Sequence, residues 1–175
     1  MPKIIENLQT NILDESKKII EENGIEKLSI RNLATRLNIA PSTVYNYYES
    51  KDEIVGALLK RNWGDALTRI DEICQDGTGT REALTAVVGE LRKGVRPLLQ
   101  QHISAVTKQK DRPQFDVNMA VIAPLEKRVT IILAAGGRSE SEAAAMAPVL
   151  TKLLITCMYD TDIELKDIIK TIKNL

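Results

Sequence analysis

Apolar residues recur at intervals of three and four along most of the chain, a spacing that places them on one face of an α-helix. Leu8, Ile12 and Ile19 show the pattern near the N-terminus, and Ile54 and Leu58 show it again further on. No segment combines enrichment in β-branched residues with alternation over six or more positions, so we expect no sheet. The 175 residues therefore predict an all-α protein, long enough for a small N-terminal domain and a larger second one.

Four residues that start or stop helices follow closely after the first helix. Gly24 supplies a left-handed stop, and Ser29 can cap a short second helix because its hydroxyl accepts free N–H groups of the first turn. Asn38 tolerates the positive φ of a sharp turn, and Pro41 suits the first turn of a third helix, predicted over residues 41–48. Two short helices joined by a tight turn are typical of a helix-turn-helix.

The third helix carries three of the chain's four tyrosines. Helical spacing turns Val44 and Tyr48 toward the core and leaves a polar face outward. That face consists of Ser42, Thr43, Tyr45, Asn46 and Tyr47. Hydroxyls, an amide and phenols can hydrogen-bond to DNA, and the second helix of a helix-turn-helix is the one that enters the major groove.

A longer fourth helix is predicted to begin directly after this segment. Ser50 and Glu53 have the S-x-x-E spacing of a capping box. Lys51 lies at the N-terminus of this helix, where a lysine and the free backbone N–H groups both favour an anion such as phosphate.

Short motifs between residues 12 and 53 resemble the TetR family of bacterial one-component transcriptional regulators. They are Ile12-Leu13-Asp14, Gly24, Ser29-Ile30-Arg31-Asn32-Leu33-Ala34, Ile39, Thr43-Val44-Tyr45-Asn46-Tyr47-Tyr48 and Ser50-Lys51-Asp52-Glu53. The resemblance implies an N-terminal three-helix helix-turn-helix DNA-binding domain, followed by a larger helical domain for effector binding and dimerisation. We expect these domains at residues 1–51 and 52–175.

Position by position, the resemblance also implies which residues contact DNA. They are Arg31, Pro41, Ser42, Thr43, Tyr45, Asn46, Tyr47 and Lys51. It places Arg31 near a base edge or phosphate, and Tyr47 and Lys51 on phosphates. The residue before Pro41 is Ala40, where the family often has a serine cap, so the third helix relies on Pro41 for its start.

The charge of the chain gives no general attraction to DNA. The formal net charge is +0, from 24 basic and 24 acidic residues. Residues 1–60 contain eight Lys or Arg against nine Asp or Glu, or −1, whereas residues 24–51 contain four against two, or +2. We therefore expect modest non-specific affinity and a shallow salt dependence per subunit, with much of the binding coming from neutral donors.

Two later helices, predicted over residues 118–135 and 139–158, are apolar on more than one face. Such a helix needs partners on two sides, of which one is the domain's own core and the other could be a second subunit. The resemblance implies a homodimer in which two helices of each chain form a four-helix bundle. The predicted dimer contacts are Val121, Leu125, Ala143, Ala147, Leu150 and Leu154. Thr80 and Ser139 are predicted helix caps.

Trp63, His102 and Met119 are the candidate contacts for a small-molecule effector of unknown identity, although each could equally fill the core or lie at the surface. Only Trp63, Phe115 and Tyr159 supply aromatic rings outside the helix-turn-helix, which argues against a large planar ligand. With one histidine and two distant cysteines, the chain predicts no metal site and no cofactor.

The sequence thus predicts a homodimeric, ligand-responsive transcriptional regulator that binds a palindromic double-stranded DNA operator. We expect it to act as a repressor. One alternative is a helical interaction module whose helix-turn-helix binds protein. An enzyme is not expected, because no catalytic constellation or Gly-rich phosphate loop is present. With no secretory signal and no run of ~18 apolar residues, we expect a cytoplasmic protein without a membrane partner.

Overall fold

The computed structural model describes residues 7–107, 117–160, 162, 163 and 165, with side chains except at 103–107 and 117–121. Every regular element in these ranges is a helix, so the all-α prediction is confirmed. The elements are α1 (Leu8–Asn23), a 3₁₀ turn (Ile25–Lys27), α2 (Ile30–Leu37), α3 (Pro41–Tyr45), α4 (Lys51–Gln75), α5 (Thr80–Gly94), α6 (Arg96–Thr107), α7 (Val117–Ala135) and α8 (Glu140–Tyr159).

The chain divides into two compact units. Unit 1 consists of Met1–Arg61 with Leu98–Arg112, and unit 2 of Asn62–Pro97 with Pro113–Leu175. Two of the boundaries fall inside helices, one in α4 and one in the first turn of α6. The division into separate domains at residues 51 and 52 stays a prediction.

Unit 1 is built around the contacts of α1 with α2 and of α2 with α3. The side chains of Ile12, Ile19, Leu33 and Val44 are fully buried there. Each sits at the helical spacing that the sequence showed, so one apolar stripe per helix is enough to close this small core.

In unit 2, α5 contacts α7 and α8, and α7 contacts α8. Near the start of α5, Thr80 lies so close to Gly136, just after α7, that a Cβ at Gly136 would collide with the Thr80 side chain. Near the end of α5, Arg92 donates hydrogen bonds to the carbonyls of Cys157 and Asp160, at the end of α8. Helix α5 therefore runs parallel to α8 and antiparallel to α7.

The ends of the unit 2 helices follow the sequence signals with one exception. Gly137 has φ 90°, and Ser139 caps α8 as predicted. Ser139 also forms a complete capping box with Glu142. Thr80, however, is the first residue of α5 and not its cap; Gly79 holds the cap position and provides no side-chain hydrogen bond. The helix therefore begins one residue earlier than the capping prediction required.

Among the described helices, α8 alone has the length and mean hydropathy, 1.2, that are typical of a membrane span. The core helix of a folded domain meets the same two conditions. Because α8 packs against α5 and α7 and buries Ala147, Leu154 and Cys157, its apolar composition is explained by the core of unit 2.

Candidate nucleic-acid interface

The turn between α2 and α3 is fixed by side-chain and backbone hydrogen bonds. At the start of α2, the Ser29 hydroxyl accepts the N–H of Asn32 at 3.1 Å, as predicted. At its end, Asn38 has φ 53°, and its N–H and that of Ile39 donate to the carbonyls of Thr35 and Ala34. This bonding is the Schellman pattern, in which a left-handed residue closes a helix. The angle at which α3 leaves is thus set by local residues.

Helix α3 is shorter than predicted, because it spans Pro41–Tyr45 and not residues 41–48. The N–H groups of Tyr47 and Tyr48 both donate to the carbonyl of Val44 at 3.0 Å, which tightens the last turn. Asn46 and Tyr47 therefore lie in a turn that follows the helix. Helical periodicity in the sequence could not reveal where α3 ends. The residues of the turn continue the pattern of buried and exposed side chains that a longer helix would have.

The tyrosines divide between core and surface as expected. Val44 and Tyr48 are 0% and 4% exposed, whereas Tyr45 and Tyr47 are 54% and 41% exposed. Burial raises the pKa of the Tyr48 hydroxyl, and a hydrogen bond with the Gln9 side chain opposes that shift. The prediction that one ring anchors the segment while two remain outside is confirmed.

The structure gathers the predicted DNA-binding residues on the helix-turn-helix segment of unit 1. Arg31, Pro41, Ser42, Tyr45, Asn46 and Tyr47 are exposed, and Thr43 and Lys51 are half-buried. All eight side chains retain contact with solvent, as a DNA-binding surface requires. Their individual contacts with bases and phosphates stay predictions.

The start of α4 is capped in a modified way. The Ser50 hydroxyl accepts the N–H of Glu53 at 3.1 Å, which is the predicted half of the capping box. The Glu53 carboxylate accepts the N–H of Glu49 at 2.6 Å, one residue before the position that the standard box would use. Together these bonds hold Lys51 in the first turn of α4.

Ion pairs remove one basic residue of the motif from the binding surface. The guanidinium of Arg36 contacts the carboxylates of Glu15 at 2.6 Å and Glu22 at 2.8 Å, both on α1. Its hydrogen bond lowers the pKa of the Glu22 carboxyl. Sequence reasoning counted Arg36 among four local cations, but the structure uses it to join α2 to α1. Within the described ranges, Arg31 and Lys51 form no ion pair.

Helix α6 contributes two polar residues to unit 1. The Gln101 side-chain oxygen accepts the N–H of Ile25 at 3.1 Å, so α6 is bonded to the turn that follows α1. His102 is buried, and burial lowers the pKa of its imidazole. The Asp52 carboxylate opposes that shift and the Lys51 ammonium adds to it. The sequence did not predict that α6 contributes to unit 1, because the apolar pattern of this helix does not indicate which unit it packs in.

The two candidate effector contacts whose side chains are described belong to different units. Trp63 is buried in unit 2, and His102 is buried in unit 1. The side chain of Met119 lies outside the described residues. Their role in binding an effector stays a prediction.

Most of the predicted dimer contacts are buried within the single chain, and their role in a dimer stays a prediction. The side chains of Leu125, Ala143, Ala147, Leu150 and Leu154 are buried inside the single chain, and that of Val121 is outside the described residues. The buried positions face the α5, α7 and α8 contacts and are therefore not available at the surface. The outward positions on the same helices include Ile131 and Val149, which are 44% and 62% exposed. The sequence showed two apolar faces but not which one is internal.

No group of three or more His, Cys, Asp or Glu side chains that could hold a metal occurs among the described residues. Cys74 is half-buried, and its thiol contacts the carbonyl of Arg128 in unit 2 at 3.8 Å. Burial raises the pKa of this thiol, which favours its protonated form.

Comparison with known proteins gives a family match for the helix-turn-helix. Residues 12–58 match the model of the bacterial regulatory proteins of the tetR family. The fatty acid metabolism regulator protein of Bacillus subtilis is 25% identical over 117 residues, which are 67% of this chain and 51% of that protein. The transcriptional repressor KstR of Mycobacterium tuberculosis is 28% identical over 92 residues, 51% of this chain and 42% of that one. The chain thus spans about half the length of the curated relatives it matches.

Solved structures extend the similarity to nearly the whole chain at the level of fold. A transcriptional regulator of the TetR/AcrR family from Thermobifida fusca superposes with a TM-score of 0.58 and 17% identity, covering 94% of this chain and 93% of that one. The ketosteroid transcriptional regulator KstR2 of Mycobacterium tuberculosis gives a TM-score of 0.53 and 14% identity, with coverage of 88% and 83%.

Proposed function

Because this chain belongs to the TetR family of bacterial regulatory proteins, we propose that it is a ligand-responsive transcriptional regulator. It binds a palindromic operator as a homodimer, and it acts as a repressor. One of its relatives, KstR of Mycobacterium tuberculosis, is named a transcriptional repressor, which supports that mode of action.

The observation that carries the proposal is the outward face of α3 and the turn after it. Tyr45 and Tyr47 are exposed large aromatic residues, although aromatics make up only 3% of the chain. An exposed phenol has an apolar ring and a hydrogen-bonding tip, which suits contact with thymine methyl groups and phosphates together. Because Val44 and Tyr48 anchor the same segment in the core, these two rings are presented on a fixed backbone.

The first test is selection of bound fragments from fragmented genomic DNA, followed by gel-shift titration on the selected sequence. Tyr47→Phe removes one hydroxyl from the exposed face, and Lys51→Ala removes the charge at the start of α4. We expect both variants to bind more weakly. Loss of phosphate contacts also reduces the steepness with which affinity falls as salt increases.

Lys60→Ala is the matched control for Lys51→Ala, because Lys60 is exposed on the same helix and is not one of the predicted DNA contacts. Equal affinity of the wild type and the Tyr47→Phe and Lys51→Ala variants would contradict the assignment. A failure to select any DNA, together with stable complexes with other proteins in a pull-down, would favour a protein-binding helix-turn-helix.

The homodimer forms, in our proposal, through the outward faces of α7 and α8. A two-fold symmetric dimer presents the same surface from both subunits and reads two symmetric half-sites. Ile131 and Val149 are large aliphatic residues exposed on the described parts of these helices. Their burial against a second copy would remove apolar surface from water, which stabilises the dimer.

Val149→Asp tests this surface by placing a charge where an apolar contact is proposed. We expect sedimentation to shift from dimer to monomer with the helical circular dichroism retained, because the substituted residue is 62% exposed in the single chain. Lys152→Ala, an exposed substitution one turn further along α8, is the control. A Val149→Asp protein that still sediments as a dimer would exclude this surface.

The response to ligand follows from a population shift. An effector bound in unit 2 favours a form of the dimer whose recognition helices no longer match the spacing of the operator half-sites. For this to occur, the effector must bind the two forms with different affinities. Operator affinity measured with and without a candidate effector reports that difference directly.

A further inference from the structure

The guanidinium of Arg36 joins the last turn of α2 to two carboxylates of α1. Its Nε lies 2.6 Å from an oxygen of Glu15, and its Nη1 and Nη2 donate to the two oxygens of Glu22 at 2.8 and 3.4 Å. Seven residues separate the two glutamates, which is about two turns of α1, so both project from the same side. The three nitrogens of one rigid, planar group therefore contact α1 at two points along its axis.

The apolar contact between α1 and α2 restricts the orientation of α2 only weakly. Helix α2 has eight residues, of which Leu33 and Ala34 are buried. Burial of apolar surface is non-directional, so two buried side chains do little to prevent a short helix from rotating or sliding along its partner. The planar, bidentate contacts of an arginine add a geometric constraint that apolar packing lacks.

Arg36 holds the end of α2 from which the chain continues into α3. Asn38, two residues further on, has φ 53° and closes α2, and α3 then begins at Pro41. Arg31, a predicted DNA contact, lies on the same helix five residues before Arg36. A rotation of α2 would therefore displace Arg31 and the exposed face of α3 together.

The ion pairs of Arg36 are too exposed to act mainly as a source of stability. The side chains of Arg36 and Glu22 are 31% and 53% exposed, and ion pairs in such surroundings contribute little to the free energy of unfolding. Nor is the guanidinium available to a phosphate, because two carboxylates already occupy its three nitrogens. What these contacts supply is a defined orientation of α2 on α1.

We propose that Arg36 is a positioning residue for operator recognition, which sets the orientation of Arg31 and of the exposed face of α3 without contacting DNA itself. This inference rests on the proposed function, because it concerns the same DNA-binding surface. Operator affinity then depends on the planar shape of the guanidinium and not on its charge alone. A lysine in its place keeps the charge but cannot contact Glu15 and Glu22 through three fixed nitrogens.

The first test is the full-length Arg36→Lys protein, titrated by fluorescence anisotropy against the selected operator and against a random-sequence duplex at several salt concentrations. We expect operator affinity to fall roughly tenfold, the effect of one displaced base contact, while affinity for the random duplex is unchanged. The salt dependence of random-duplex binding should also be unchanged, because the variant carries the same charge. The melting temperature should stay close to that of the wild type.

Glu22→Ala tests the same contacts from α1, and the expected result is opposite in sign to a simple effect of charge. Removal of an acidic residue strengthens DNA binding if net charge alone matters. We expect Glu22→Ala to weaken operator binding instead, because Arg36 loses both hydrogen bonds to Glu22. Glu21→Ala is the matched control, since Glu21 is an exposed neighbour whose salt bridge, to Lys17, lies within α1. This control should not weaken operator binding.

Operator affinity of Arg36→Lys equal to that of the wild type would overturn the inference, as would tighter operator binding by Glu22→Ala. Equal losses of operator and random-duplex affinity by Arg36→Lys would also overturn it, because Arg36 would then contribute to DNA binding in general. Loss of helical circular dichroism in either variant would show a role in folding and would overturn it as well. If the wild type bound no DNA, the proposed function itself would fail, which differs from unchanged affinity of Arg36→Lys for an operator that the wild type does bind.

Discussion

The helix-turn-helix of unit 1 and the α5, α7 and α8 bundle of unit 2 are both helical, but they differ in the residue types that they expose. In the helix-turn-helix, exposed positions carry phenols, hydroxyls and an amide, and Tyr45 and Tyr47 are among the most exposed large side chains. In the bundle, the exposed positions between residues 144 and 152 of α8 carry alanine, Val149 and Lys152. The cores beneath the two surfaces consist of the same aliphatic residue types.

The difference shows what each surface must contact. DNA presents a fixed array of phosphates and base edges, so a protein that binds it needs particular polar groups at particular positions. A helical core or a second copy of the chain requires only apolar residues of suitable volume, and many residue combinations meet that need. For this reason the first region can be identified from its residues, whereas the second cannot.

The largest expected effect comes from the bundle core. Leu154→Ala removes a side chain that is 0% exposed, and we expect the free energy of unfolding to fall by about 2–5 kcal/mol. Val149→Ala, an outward substitution on the same helix, should change the unfolding free energy of the single chain by less than about 0.5 kcal/mol. Urea denaturation at low protein concentration measures both. Similar losses for the two variants would mean that inward and outward faces are assigned wrongly.

In the helix-turn-helix, the largest effect should fall on binding and not on stability. Replacing Tyr45 and Tyr47 by alanine removes two exposed rings, and each lost DNA contact should cost about 1–3 kcal/mol of operator binding free energy. The melting temperature should change little, because neither ring is buried. Tyr159→Ala, which removes an exposed tyrosine of unit 2, is the control and should leave operator affinity intact. If the alanine variant lost as much unfolding free energy as operator binding free energy, the two rings would contribute to stability and not only to DNA binding.

The sequence predicted the features of the helix-turn-helix that depend on neighbouring residues, and it missed those that depend on contacts between distant parts of the chain. Ser29, Asn38 and Pro41 act on their own backbone neighbours, and the structure places them as predicted. The end of α3 was missed, because the hydrogen bonds to the Val44 carbonyl depend on how the chain turns toward α4. Arg36 was misjudged because its partners, Glu15 and Glu22, lie 14 or more residues away in the chain.

Unit 2 was predictable as helices but not as an arrangement. Ser139 was predicted as a helix cap, and the structure adds the second half of a capping box with Glu142. The inward orientation of Ala147 and Leu154 was not, because α8 is apolar on more than one face and only its contacts with α5 and α7 select the buried one.

A smaller effect is expected at the start of α3. Ala40 provides no side-chain hydrogen bond to this helix, although its backbone, at φ −73° and ψ 144°, suits a capping residue. Ala40→Ser should supply the missing acceptor and stabilise unit 1 by about 0.5–1 kcal/mol, measured by thermal unfolding. Ser29→Ala, which removes the existing cap of α2, is the opposite variant and should destabilise by a similar amount. If Ala40→Ser is neutral or harmful, Pro41 alone is sufficient to start the helix.

The smallest expected effect concerns pH and is confined to unit 1. Burial lowers the pKa of His102 below its ordinary value of 6.5, so at mildly acidic pH the unfolded chain binds a proton that the folded chain does not. Stability from this residue is therefore complete above pH 6.5 and decreases as the pH falls below it. His102→Gln should flatten the curve of unfolding free energy against pH in this interval. A curve of unchanged slope would show that another group causes the dependence.

The most direct test of the central claim is hydroxyl-radical footprinting on a selected DNA fragment. We predict that the wild-type protein protects two symmetric half-sites, with centres separated by about 34 Å or a multiple of it. The Tyr159→Ala protein should give the same protection, and the protein lacking the Tyr45 and Tyr47 rings should lose it at equal concentration. A single asymmetric protected region, or full protection by the variant without these two rings, would contradict the assignment of this exposed face as the surface that binds DNA.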